Sequence, residues 1–228
     1  MSRVLRRSLS IAGLALALAG AGPAQAGRPL VTDDATVTPA GECQLESWYQ
    51  DDPHGDVFNL FPACNLFGDT ELTAGWAHGG GNAYSLQAKQ VYRELKPDSW
   101  GWGLAAGVVR ELPARGEDGY DWYAYVPLSL SLDDDRWQLH LNLGAGRHEI
   151  DDRLRANWGL GAVYAPSPRW SFFGEGYGSN ETANVQGGGS LTLLADRAQL
   201  DVTLGRVLHG AGEGNYAGIG IDLYGFAF

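Results

Sequence analysis

From residue 42 onward, apolar and polar positions alternate with a period of two, in runs separated by turn residues. That is the signature of strands with one apolar face. The clearest run is 136–146, where Trp137, Leu139, Leu141, Leu143 and Ala145 share one face and Gln138, His140, Asn142 and Gly144 the other. Runs at 100–108, 122–132, 156–164 and 198–205 repeat the pattern, although Pro127 removes a ladder donor from the second of them. The closing stretch, 215–228, sets Ala217, Ile219, Ile221 and Leu223 against Gly218, Gly220, Asp222 and Tyr224. Phe226 and Phe228 fall in phase with Asp222, so either a bulge near Gly225 flips the phase or the terminal aromatics do not face lipid. Less regular runs at 42–50, 57–64, 70–78, 83–94, 169–178 and 184–194 bring the total to about twelve strands.

The connections carry an independent signal. The links at 195–197, 166–168, 133–135, 95–99 and 65–69 are tight turns. Those alternating with them (DDPHGD, LPARGEDGY, RHEIDDR, SNETA and VLHGAGEGN) are longer and more polar, with GGGN as the short exception. Short turns on one side and longer loops on the other predict an even strand number with both chain ends in the periplasm. The reading is an all-β chain: a transmembrane antiparallel β-barrel closed by its last strand, because an open edge is not tolerated in lipid. A soluble periplasmic sandwich or lipocalin-like barrel would alternate too. Here, however, the second face is Gly, Ser, Asn, Gln and Thr with scattered charges, as in a membrane barrel's lumen. Trp76, Trp100, Trp102, Trp122, Tyr123, Trp170 and Tyr216 lie near strand ends and suit interfacial girdles.

The N-terminus sets the compartment. Residues 1–26 read as a cleaved signal peptide, with Arg3, Arg6 and Arg7, a short apolar stretch, and a small-x-small site at Ala24–Ala26. Residues 27–41 (GRPLVTDDATVTPAG) read as a lead-in segment rather than a strand, and 42–228 as the barrel. Cleavage removes three of the 16 basic residues and none of the 27 acidic ones, leaving the mature chain near −14. That balance argues against nucleic acid. Cys43 and Cys64, in an oxidising compartment, are expected to form a disulfide across a hairpin centred on DDPHGD. Two thiols without nearby His make a poor zinc site, and no cofactor or metal is expected.

RPLVTDDA at 28–35, GECQLESW at 41–48 and FPACNLFGDTELTAGW at 61–76 resemble a proteobacterial family of small outer-membrane β-barrel proteins. These are loosely grouped with outer-membrane transporters associated with phenol-degradation pathways. The resemblance covers about the first quarter of the mature chain in motif terms. It implies a barrel and transport, and it supplies no catalytic residues.

Candidate chemistry lies on the polar phase, where Glu71, Lys89, Arg93, His140, Glu175, Asp201 and Asp222 would point inward. They can act as a constriction that selects solutes, or simply as paired charges that keep a small barrel filled and rigid. Enzyme readings have only Ser179 with Asn180, His148 with Asp151 and Asp152, and His209, none of them in a known motif. The acidic links could bind divalent cations but more often form a solvated rim. GEGNY and GGGNAY do not make a phosphate loop. The expected function is passive transport or binding of a small solute, hydrophobic ones included. A structural or surface-interaction barrel with a closed lumen is the alternative, and an outer-membrane lipid hydrolase the third reading. The implied partners are outer-membrane lipids, that solute and the outer-membrane insertion machinery.

Overall fold

The computed structural model describes residues 28–53, 55–114, 116–149, 152–194, 197–210 and 212–227; the signal peptide, His54, Asp151 and Phe228 lie outside them. Twelve strands follow one another: β1 Glu42–Asp51, β2 Val57–Asn65, β3 Thr70–His78, β4 Gly81–Arg93, β5 Trp100–Pro113, β6 Gly119–Leu132, β7 Trp137–His148, β8 Arg153–Ser167, β9 Trp170–Ser179, β10 Ala183–Leu193, β11 Ala198–His209 and β12 Gly214–Ala227. Each pairs antiparallel with the next, and β1 pairs with β12, so the barrel has no free edge. The alternation read from the sequence sets which residues face out. Leu86, Leu160 and Leu204 are 59 to 65% exposed around the outer wall, a surface that water would not tolerate and lipid does.

Aromatic residues ring this wall at both ends. Tyr92 stacks on Trp102 and Trp137 on Tyr164 near the short turns, while exposed Tyr49, Tyr84, Tyr120 and Trp122 stand near the longer loops. Tyr123 and Tyr216 correct the expected girdle. Both point into the lumen, where their hydroxyls bond Gln87 and Gln186. Glycine makes room for such rings; a Cβ at Gly107 would come within 2.5 Å of the Tyr123 ring.

Irregularities fall where the chain must change phase. The β1–β12 register slips between Cys43 and Leu45, and Gly225 takes φ +74°. This glycine bulge turns Phe226 outward, 47% exposed, in phase with the lipid face. Pro127 interrupts the β5–β6 register, which skips from Trp102–Leu128 to Ala105–Tyr125. Pro62 does the same between β2 and β3. Cys43 and Cys64 are register partners on β1 and β2 and form a disulfide, with Cα atoms 4.0 Å apart.

Residues 28–41 precede the first strand and form none of their own. They run inside the barrel and fill the half of the lumen nearest the short turns, where Thr32, Asp34, Ala35 and Thr38 are at most 3% exposed. Asn65 at the end of β2 fixes the exit of this segment: its Nδ2 donates to Thr38 O at 2.6 Å, and its backbone carbonyl accepts from Gly41 N–H.

Candidate functional site

The site is the meeting of this internal segment with the barrel wall. Inward positions recur every second residue on every strand, so polar groups from strands far apart in the chain converge on one short stretch. Lys89 of β4 is the centre: its Nζ lies 2.9 Å from Asp33 and 3.5 Å from Asp34 of the segment, and 3.8 Å from Glu71 on β3. The β3–β4 register sets Glu71 directly opposite Lys89. Glu71 Oε2 also accepts from the Thr38 N–H at 2.8 Å and from its hydroxyl at 2.5 Å.

Across the lumen, Glu175 of β9 accepts from two successive backbone N–H groups, Val31 at 2.7 Å and Thr32 at 2.8 Å. Arg28 donates to Asp201 of β11 at 2.6 Å and lies over the Trp48 ring, 4.4 Å from its centroid. Gly220 leaves the space for this pair, since a Cβ there would strike Asp201 and come 3.0 Å from the guanidinium. On β6, Ser129 Oγ accepts from the Ala35 N–H at 3.0 Å and pairs with His140 Nδ1 at 2.9 Å. Tyr125 donates to Asp33 at 2.7 Å. Burial pushes the Asp34 carboxyl up to about 6, against the opposing pull of Lys89.

Above the segment the lumen opens into a cup of about 530 Å³. Its floor is the segment itself, Arg28 to Asp33, and its walls carry Trp48, Phe61, Tyr123, Tyr125, Gln87 and Gln186 among others. Trp48 and Phe61 stack with centroids 5.0 Å apart. The Tyr123 hydroxyl donates to Gln87 Oε1 at 2.9 Å, and the Tyr125 oxygen lies 3.1 Å from the same atom. A cup of this size, part aromatic and part polar, can hold a small molecule.

Of the residues picked out by phase, Glu71, Lys89, His140, Glu175, Asp201 and Asp222 all face inward and are at most 6% exposed. Asp222 lies in register with Glu46 of β1 and accepts from Gln199. Arg93 departs from the expectation. A register shift between Val91 and Arg93 places it opposite outward-facing Trp102, and its guanidinium sits 4.1 Å over the exposed Trp100 ring. Among the described residues, the hydrolase candidates are not drawn together either; Asp151 and the His148 side chain lie outside them. Ser179 Oγ accepts from the Glu181 N–H and pairs with Thr182 within its own turn, Asp152 pairs with Arg147, and His209 is exposed at the end of β11. Sequence reasoning missed Arg28, Asp33, Asp34 and Glu46. The acidic pair in TDDAT, in a chain with two lysines, was the available signal.

The sequence model of the family described as "Uncharacterised conserved protein UCP029691" matches residues 14–224. The chain belongs to this family. No curated protein matches it. Among solved structures, the KdgM porin has 12% identity and a TM-score of 0.61, over 80% of this chain and 98% of the porin. The COG4313 outer membrane channel from Pseudomonas putida F1 has 16% identity and a TM-score of 0.61, over 84% of this chain and 98% of that one. Outer membrane phospholipase A from Escherichia coli also aligns, with 12% identity and a TM-score of 0.53, over 85% and 93%. Likeness at such identities establishes the fold, that of outer-membrane barrels; the choice between channel and enzyme rests on the site.

Proposed function

We propose that, once residues 1–26 are removed, the protein is an outer-membrane channel for small solutes whose lumen is gated by its own residues 28–41. The observation that carries this reading is the way the segment is held. Its anchors are ion pairs and hydrogen bonds to the wall, not an interlocked apolar core. On release both partners of each contact regain water, and neither charge stays buried and unpaired, so a segment so held can leave a polar lumen that water then fills. The loop-length rule places the longer loops, and with them the mouth of the cup, at the cell exterior. The channel neighbours in the fold support passage. The likeness of 28–35, 41–48 and 61–76 to transporters associated with phenol-degradation pathways adds small aromatic compounds to the solutes to be assayed, and the rings of Trp48 and Phe61 offer them faces. Assembly through the insertion machinery that reads the closing strand, and contact with outer-membrane lipid, follow from the same reading.

A disulfide that locks the segment tests it. A Cβ built on Gly159 lies 3.3 Å from Thr32 Cβ, near the separation a disulfide requires. The Thr32→Cys/Gly159→Cys chain should conduct in planar bilayers only after reduction, while the parent conducts in both states. A parent chain that folds as a heat-modifiable barrel and never conducts would refute the channel and leave a closed, structural barrel.

A further inference from the structure

Resting on the channel reading, we infer that the lumen beneath the cup selects organic cations rich in N–H donors, and that residues 28–41 occupy that path as an intramolecular stand-in for such a solute. Among the described residues, the wall of the plugged half carries Glu46, Glu71, Glu175, Asp201 and Asp222 against the single cation Lys89. With the segment in place, four of these five carboxylates accept from its donors, one of them Glu46 from the Arg28 N–H. Arg28 presents a guanidinium to Asp201, Val31 and Thr32 present N–H groups to Glu175, and Thr38 presents an N–H and a hydroxyl to Glu71.

The wall therefore reads donors, and the segment supplies them. Two further observations point to a ligand rather than to a chance acidic cluster. Asp201 is fully buried, and its Oδ2 has no partner even with Arg28 bound to Oδ1. The Arg28 guanidinium also lies on the Trp48 face at the floor of the cup, so the entrance already displays a bound cation on an aromatic ring. When the segment leaves, it removes Arg28 together with Asp33 and Asp34, and the wall keeps its acidic excess. A low-dielectric passage lined by one sign of charge concentrates counter-ions of the other. The same wall repels acidic saccharides, in contrast to the KdgM porin, which has been solved in complex with disordered oligogalacturonate.

The test uses the mature full-length chain in planar bilayers under a KCl gradient, with spermidine and trigalacturonate as probes. The reversal potential should show about tenfold preference for potassium over chloride. Spermidine should reduce the current at concentrations where trigalacturonate does nothing. The Glu175→Gln/Asp222→Asn chain should lose most of both effects. In a parallel titration in detergent, spermidine should change tryptophan fluorescence by displacing Arg28 from Trp48, and the Trp48→Phe chain should lose that change. A channel that conducts without cation preference, or that spermidine affects equally in the parent and the doubly neutralised chain, overturns this inference and leaves the channel standing. Absence of conductance in every form overturns the channel reading itself, and this inference with it.

Discussion

Replacing Lys89 by Met, a side chain of similar length without charge, should release the internal segment while sparing the barrel. Lys89 is 5% exposed and is the one cation set among Asp33, Asp34 and Glu71, at 2.9, 3.5 and 3.8 Å. Removing one partner of a buried ion pair costs about 3–5 kcal/mol, because the remaining charge stays desolvated. At about 1.4 kcal/mol per factor of ten, the docked-to-undocked ratio should fall by roughly two to three and a half powers of ten. That loss lands on the segment, since undocking returns Asp33 and Asp34 to water, whereas the β3–β4 ladder pairs through backbone groups the substitution leaves intact. The chain should therefore remain heat-modifiable on a gel, conduct with a much higher open probability, and expose the bonds of residues 30–38, which contain Leu30, Val31, Ala35 and Val37, to proteinase K. Lys96, the only other lysine, is exposed in the β4–β5 turn, so Lys96→Met is the matched control and should change nothing. If Lys89→Met leaves both open probability and protease protection at the parent level, the ion cluster does not hold the segment and the gating argument fails.

Two further outcomes follow from named groups. Asp34, buried beside Asp33 and Lys89 and bonded to Thr36, has its carboxyl raised from 3.8 to about 6 when docked. A raised folded value means that proton binding favours docking. This contribution is complete below about pH 4 and is lost as pH rises through about 6, and at about 1.4 kcal/mol per unit it amounts to about 3 kcal/mol. Open probability should be lower at pH 4.5 than at pH 7.5, and Asp34→Asn should flatten that dependence; an unchanged profile in the variant would show that Asp34 is not responsible. The Cys43–Cys64 disulfide spans 21 residues, so converting both cysteines to serine should destabilise by about 3 kcal/mol. The change would be read as a lower temperature for the gel shift from folded to unfolded barrel. Equal temperatures with and without reductant would contradict it.

What could be read from the sequence, and what could not, divides along one physical line. A strand that separates lipid from lumen must alternate, so Trp137 to Ala145 and Ala198 to Leu204 announce their outer faces without reference to any partner. The disulfide followed from the oxidising compartment and hairpin symmetry, and its cysteines are register partners. Arg93 failed because a bulge adds a residue to one strand without marking the pattern, and the cation turned out onto Trp100. Tyr123 and Tyr216 failed because an aromatic ring suits an interface and a lumen equally well; only phase distinguishes them, and the expected girdle ignored it. The docking of residues 28–41 inside the barrel was not legible for a deeper reason. The wall groups that anchor residues 28–41 lie far along the chain: 33 residues away at Glu71, 143 at Glu175, 173 at Asp201. Polar residues with distant polar partners leave no periodicity, so TDDATVT reads like a linker although it is as buried as any strand. Charge balance was the trace that remained. Inward carboxylates outnumbered inward cations from the start, and buried carboxylates require donors from somewhere. The segment ahead of the first strand, with its own arginine and its run of free backbone N–H groups, was the nearest supply.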